Sequence, residues 1–145
     1  MLADDEKWFR VSLRLMGDTI PIDEIERMLE IAPSSIGRKG EHLQGNPKRA
    51  KYETHIWVWS FPAEPSVPFE TQIADLLERL EPKKDALLEI LALPKTEGEL
   101  FLGFSSGNGQ GGANFPANLL QRVANCGLSI CLDLYPPTID ETEQA

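Results

Sequence analysis

The stretch from Trp8 to Met16 alternates between apolar and polar side chains over most of its length. The apolar positions are Phe9, Val11, Leu13 and Leu15, and the polar positions are Arg10, Ser12 and Arg14. Successive side chains of a β-strand point to opposite faces, so this pattern predicts a strand with only one face in a hydrophobic core. Such a strand needs neighbouring strands at its edges and a second layer to cover its apolar face.

The rest of the chain supplies both. Further strands are predicted in part of 36–43 and over Thr54–Ser60, Glu99–Phe104 and Leu128–Tyr135. Helices are predicted over 21–32, from Phe69 to Leu80, after Pro82 to about Leu93, and over Pro116–Asn125. This alternation predicts an α+β two-layer sandwich, in which helices cover one face of a mainly antiparallel sheet of four to five strands, ferredoxin-like or related. We expect one domain over residues 1–137 and an acidic tail over 138–145.

Charge is distributed unevenly along the 145 residues. The net charge is −9, but residues 38–51 carry five basic side chains against one acidic side chain, a net +4, so the remainder carries −13. An acidic body repels nucleic acid and attracts basic partners. We therefore expect no nucleic-acid partner, although acidity that only maintains solubility is an equally simple interpretation.

Compartment and cofactors are constrained by what the chain contains. The start, MLADDEKW, lacks the basic and apolar regions of a signal peptide, and no apolar run reaches the roughly 18 residues of a membrane-spanning helix. The two cysteines, Cys126 and Cys131, suit a reducing compartment, and with His42 and His55 they form no metal-binding motif. We expect a cytoplasmic protein without membrane contact, metal or other cofactor.

The motif that most resembles a catalytic or binding signature is GNGQGG, residues 107–112, which matches G-x-G-x-x-G. In a dinucleotide site the third glycine packs against the first turn of the following helix. Here Pro116 favours a helix start four residues beyond Gly112, and no lysine of a phosphate-binding loop is present. We interpret this segment as a flexible connection.

The face of the sheet turned away from the helices is the stronger candidate site. If Ile56 and Val58 pack against the helices, as do the leucines of the last strand, then arginine and aromatic side chains share the opposite face. The candidates there are Arg10, Arg14, His55, Trp57, Trp59, Asp133 and Tyr135, and Arg38 and Lys39 are added from the basic loop. Arginine, tryptophan and tyrosine are enriched where proteins bind one another.

Other interpretations of these residues remain open. The 33–53 segment could fold over the face as a lid and make the tryptophans part of the core, or two copies could meet there as a homodimer. A nucleophile–base pair of Cys131 and His55 is conceivable, but a buried structural cysteine is far commoner, and no catalytic constellation is recognised.

The order of features resembles the bacterial family known as domain of unknown function 4279. The matching stretches are VSLRLMGDTI, LEIAP, GRKG, WVWS, a leucine-rich helix followed by proline, and NLLQRVANCGLSICLDLY, which together span about Trp8 to Tyr135. The resemblance implies a small cytoplasmic bacterial α+β domain and supplies no activity. Its small, acidic, single-domain character is shared with immunity proteins that neutralise toxins.

These observations predict a non-enzymatic protein whose target is another protein, in the manner of an immunity protein or antitoxin, and the acidic body favours a basic target. The alternative is a small-ligand or nucleotide-handling domain that uses the same sheet face, with Arg10, Arg14 and Lys39 as contacts for an anion.

Overall fold

The computed structural model describes residues 2–3 and 5–136, so the predicted acidic tail over 138–145 lies outside the described residues. These residues form five strands and four α-helices. In order they are β1 (Lys7–Gly17), α1 (Ile25–Leu29), β2 (Ser35–Gly37), β3 (His55–Ser60), α2 (Phe69–Leu80), α3 (Lys84–Leu91), β4 (Glu97–Ser106), α4 (Ala117–Asn125) and β5 (Ser129–Leu134).

The strands form one sheet in the order β2-β3-β1-β4-β5. The β2–β3, β3–β1 and β1–β4 pairs are antiparallel, and β5 is added in parallel to β4 through the crossover that contains α4. The first four strands have the β-α-β-β-α-β connectivity of ferredoxin-like folds. The predicted α+β two-layer sandwich with a mainly antiparallel sheet is confirmed.

The core lies between one face of the sheet and the helices. The alternation of β1 places Phe9, Val11, Leu13 and Leu15 there, all buried, opposite the leucine-rich stripe of α2. Gln72 is also buried in this layer, where its side-chain amide donates to the carbonyl oxygens of Phe9, at 3.1 Å, and Val67, at 2.8 Å. The single amide thereby ties α2 to β1 and satisfies a carbonyl group inside the core.

The helical segment after β3 is broken where Pro82 predicts a break. A short 3₁₀ segment, Glu81–Lys83, separates α2 from α3. Proline has no N–H to donate, so the α-helical hydrogen-bond pattern is interrupted and a new helix begins at Lys84. The Glu81 carboxylate in this 3₁₀ segment accepts two hydrogen bonds from Arg122 of α4, at 3.1 and 2.7 Å, which connects α4 to the joint between α2 and α3.

Two expectations about strands need correction. The strand predicted within 36–43 is only the three residues of β2, and the chain beyond it forms a separate hairpin. In β5, Leu132 and Leu134 do lie on the helix side of the sheet but are 51% and 66% exposed. They are exposed because β5 is an edge strand, and the helices leave this end of it uncovered.

Candidate functional site

Among the described residues, the helices pack on one face of the sheet. The other face consists mainly of strand side chains, with the Tyr52 ring lying over Gly37 at the β2 edge. We call this surface the open face. By strand register it carries Trp8, Arg10, Ser12, Arg14 and Met16 of β1, Ile56, Val58 and Ser60 of β3, Glu97, Glu99, Phe101, Gly103 and Ser105 of β4, and Ser129, Cys131, Asp133 and Tyr135 on and just after β5.

Arg14 lies near the centre of the open face and is held on two sides. Its Cζ is 3.9 Å from the centre of the Phe101 ring, and its Nη1 is 3.7 Å from a carboxylate oxygen of Glu99. The guanidinium therefore rests on an aromatic face while keeping 37% of its side chain exposed. An arginine that is already ordered loses little side-chain entropy when a partner binds it.

A second arginine–aromatic group lies at the other end of β1. The Cζ of Arg10 is 5.0 Å from the centre of the Trp8 ring, and Trp8 meets Tyr135 edge-on at a centroid distance of 5.8 Å. Gly103 lies beneath both rings, since a Cβ there would be 3.1 Å from Trp8 and 3.2 Å from Tyr135. The absence of a side chain at Gly103 allows the two rings to meet across β4.

Asp133 influences the ionisation of Tyr135. The pKa of the Tyr135 phenol is raised, first by its hydrogen bond to the Asp133 carboxylate and then by desolvation. The phenol therefore keeps its proton, and its O–H group as a donor, to a higher pH than an ordinary tyrosine does. Tyr135 is 44% exposed, so its ring and its hydroxyl group are both accessible at the surface.

Trp57 and Trp59 do not belong to the open face, so their predicted placement is wrong. Trp59 pairs with Leu13 and Trp57 with Leu15, and directly opposed residues of an antiparallel pair share a face. Both indoles therefore point toward the helices. Trp57 is 0% exposed and Trp59 is 6% exposed. The physical reason is that burying these large rings removes more apolar surface from water than burying the smaller side chains of Ile56 and Val58.

The basic segment folds on itself and does not form a lid over the tryptophans. We call residues 38–53 the basic hairpin. It is closed by a bridge between His42 and Lys51 and by a hydrogen bond from the N–H of Leu43 to the carbonyl of Ala50, at 2.9 Å. The Tyr52 ring fills the space above Gly37 of β2. The hairpin therefore extends from the β2 edge of the sheet.

His55, Arg38 and Lys39 anchor this hairpin. The predicted placement of His55 on the open face is therefore wrong, and the two basic-loop candidates, Arg38 and Lys39, do not reach that face. Nδ1 of His55 accepts a hydrogen bond from the backbone N–H of Lys39 at 3.0 Å. Arg38 donates two hydrogen bonds to Asp23, at 3.1 and 2.6 Å, and Lys39 Nζ donates to Asp18 at 2.9 Å. Hydrogen bonds from Arg38 and Lys39 hold the pKa values of Asp23 and Asp18 below their usual range.

Of the nine predicted residues, four are brought together on the open face: Arg10, Arg14, Asp133 and Tyr135. Sequence reasoning missed Trp8 and Phe101. Trp8 shares the period-two positions of Arg10 and Arg14, so the same alternation could have identified it. Phe101 lies between Leu100 and Leu102 in a continuous apolar run, where alternation gives no signal.

The glycine-rich segment precedes α4 without entering it. Pro116 caps the helix, and α4 begins at Ala117, so Gly107 to Gly112 lie in the connection before it. Gly111, with φ of +144°, passes close to the Lys7 and Phe104 side chains, which a Cβ would contact at 2.8 Å. In a dinucleotide-binding turn the third glycine packs at the first turn of the helix, whereas here Gly112 lies before that turn.

Catalytic and metal-binding arrangements were also sought in residues 2–3 and 5–136. Cys131 and His55 lie on β5 and β3, which β1 and β4 separate, so these two residues do not form a pair. Burial raises the pKa of the Cys126 thiol, which favours its unreactive protonated form. Within this part of the chain no three His, Cys, Asp or Glu side chains are grouped to hold a metal ion.

The helices in the described part of the chain are all too short or too polar to cross a bilayer.

Comparisons with known proteins give a single result. A search of curated proteins and a search of solved structures each found no match. The sequence profile described as "Domain of unknown function (DUF4279)" matches residues 6–137, which include every helix and strand described above. The chain therefore belongs to the DUF4279 family, as its motifs suggested.

Proposed function

We propose that this chain is a non-enzymatic binding protein that docks its open face against another protein, in the manner of an immunity protein or antitoxin. The observation that carries the proposal is the ordered stacking of Arg14 on Phe101 and of Arg10 on Trp8. Arginine, tryptophan and tyrosine dominate the energetics of protein–protein interfaces, and here they lie together on a single sheet face.

Charge supports a basic partner. The chain carries −9 overall, and the open face adds the carboxylates of Glu97, Glu99 and Asp133 to its arginines. A field of this sign accelerates encounter with a positively charged protein and slows encounter between two copies of this chain. The proposal includes a cytoplasmic location in a bacterium, where the free thiols of Cys126 and Cys131 would stay reduced.

The alternative, an anionic small ligand held by Arg10, Arg14 and Lys39, has less support. Arg14 is already paired with Glu99, and Lys39 is paired with Asp18 on a different part of the surface. An anion at Arg14 or Lys39 would compete with the carboxylate that already lies beside it. A protein partner can leave the Arg14–Glu99 pair intact, because its own polar groups can bind the guanidinium as donor and the carboxylate as acceptor.

The experiment is native mass spectrometry of the tagged protein recovered from the cells that express it naturally, at low and high salt. Wild type is compared with Arg14→Ala and Trp8→Ala, and with two controls away from the open face. Arg49→Ala removes an exposed arginine of the basic hairpin, and Leu120→Ala removes an exposed leucine of α4. Circular dichroism checks that each variant is folded.

We expect a stoichiometric basic protein that is lost at high salt and is retained by both controls. Arg14→Ala and Trp8→Ala should each weaken binding of this partner by about 2 kcal/mol, which is roughly thirtyfold in affinity. Equal retention by all variants would show that the open face is not the interface. Recovery of only a homodimer or a bound small molecule would reject the proposed kind of partner.

A further inference from the structure

The two histidines of this chain both contact the basic hairpin through Nδ1, but in opposite senses. Nδ1 of His55, the first residue of β3, lies 3.0 Å from the backbone nitrogen of Lys39, whose N–H donates to it. Nδ1 of His42 lies 2.7 Å from the backbone carbonyl oxygen of Arg49, a group that can only accept. A neutral His55 ring therefore carries its proton on Nε2, and a neutral His42 ring carries its proton on Nδ1.

Gain of a second proton has opposite effects on these two hydrogen bonds. An imidazolium ring has an N–H group on both nitrogens and no acceptor. His42 therefore keeps its bond to the carbonyl of Arg49, whereas His55 loses the bond that it accepts from Lys39. Histidine is the side chain that ordinarily changes its charge between about pH 5 and 8, so both rings sample this change under mild conditions.

The charged groups beside the His55 bond act in the same direction. They are two carboxylates from the connection between β1 and α1, Asp18 and Asp23, and two cations of the hairpin, Lys39 and Arg38, which pair with them at 2.9 and 2.6 Å. These hydrogen bonds hold the pKa values of both carboxyl groups below their usual range, so the carboxylates stay charged where an imidazole titrates. A charged His55 ring is attracted to the same carboxylates and competes with the two cations that anchor the hairpin.

We propose that protonation of His55 loosens the attachment of the basic hairpin to the sheet. The hairpin is held while His55 is neutral, and the attachment weakens as the pH falls through the titration of this ring. The hydrogen bonds that close the hairpin itself do not involve His55, since Leu43 donates to Ala50 and His42 to Arg49. The inference goes beyond the proposed function, and either can fail without the other.

The test measures amide hydrogen exchange of Lys39 and Leu43 by NMR in the full-length ¹⁵N-labelled protein between about pH 5 and 8. Dividing the intrinsic exchange rate at each pH by the measured rate gives a protection factor that reports opening alone. The ring resonances of both histidines show where each of them titrates. We expect protection of Lys39 to fall about fivefold as His55 gains its proton, the equilibrium factor of one net hydrogen bond, while protection of Leu43 stays constant.

Three variants separate His55 from other titrating groups. His55→Asn supplies a carboxamide oxygen that accepts at every pH, so Lys39 should stay protected throughout. His55→Phe supplies no acceptor, so protection of Lys39 should be low throughout. His42→Asn is the matched control and should keep the response of wild type.

Circular dichroism checks that each variant is folded, and the comparison of wild type with His55→Asn decides the question even if His55→Phe does not fold. Constant protection of Lys39 while His55 titrates in wild type would overturn the proposal. A fall of equal size in His55→Asn, or loss of the response in His42→Asn, would do the same.

Discussion

The two faces of the sheet both carry tryptophan, but they use it differently. On the helix side, Trp57 and Trp59 are buried, and Trp59 is covered by Phe61 and by the guanidinium of Arg79. On the open face, Trp8 stays partly exposed and contacts Tyr135 and Arg10. The buried rings contribute to stability through the apolar surface that they remove from water. The exposed ring contributes far less in this way and remains available to a partner.

The comparison shows that residue type alone does not separate a candidate binding surface from a core. Each face also holds an arginine stacked on an aromatic ring, with Arg79 over Trp59 on one side and Arg14 over Phe101 on the other. What distinguishes the two faces is the second layer. The helices cover one set of side chains, while in the described residues the other set forms the surface.

The largest expected difference between the faces is in the free energy of unfolding. Trp57→Ala should cost about 3–5 kcal/mol, because it removes a fully buried ring and leaves a cavity. Trp8→Ala should cost about 1 kcal/mol, because the ring is partly exposed and solvent can fill the space. Urea denaturation followed by far-ultraviolet circular dichroism measures both values. Similar losses in the two variants would show that the open face is packed as a core.

A smaller difference is expected from two glycines of β4 that face opposite sides. At Gly98 a Cβ would lie 2.7 Å from Leu91 and 2.9 Å from Leu128, inside the packed layer. At Gly103 it would lie 3.1 Å from Trp8 and 3.2 Å from Tyr135, whose partly exposed rings have room to shift.

Gly98→Ala should therefore destabilise the protein by about 1 kcal/mol through overpacking. Gly103→Ala should be neutral or stabilise it by about 0.5 kcal/mol, since alanine restricts the unfolded chain more than glycine does. Thermal and urea unfolding of the pair give the comparison directly. If Gly103→Ala destabilises as strongly as Gly98→Ala, the rings above Gly103 are fixed more rigidly than their exposure implies.

The sequence was sufficient to predict the order of elements, because the signals were local. Alternation identified β1, leucine spacing identified α2, and Pro82 and Pro116 marked where helices begin or break. The same alternation correctly grouped Arg10 and Arg14 on a single face. Asp133 and Tyr135 were grouped with them by the same rule applied to β5, and a role in binding stays a prediction for all four.

The face of β3 could not be predicted in this way. In THIWVWS every position from Ile56 to Trp59 is apolar, so period two offers two equally apolar faces. Only the register with β1, in which Trp57 lies opposite Leu15, decides between them. The ion pairs that hold Arg38 and Lys39 to Asp23 and Asp18 are also long-range contacts, and local sequence gives no signal for them.

The smallest expected difference concerns one ion pair from each side of the sheet. On the helix side, the hydrogen bonds from Arg122 hold the pKa of Glu81 below its ordinary value of 4.5. A carboxyl group whose pKa is lowered by folding stabilises the protein above its unfolded pKa, and this contribution is lost as the pH falls through the folded value. Both side chains are about one-third exposed, so we expect about 0.5 kcal/mol at neutral pH.

Glu81→Gln should therefore lower stability slightly at neutral pH and lose that deficit relative to wild type in acid. Glu99→Gln on the open face is the matched control. Its oxygen lies 3.7 Å from Arg14 instead of the 2.7 Å that separates Glu81 from Arg122, so a smaller change is expected. Urea midpoints of the three proteins across the acid range measure the effect. A larger pH-dependent change in Glu99→Gln would mean that the open face, and not the contact of Glu81 with Arg122 of α4, holds the stronger ion pair.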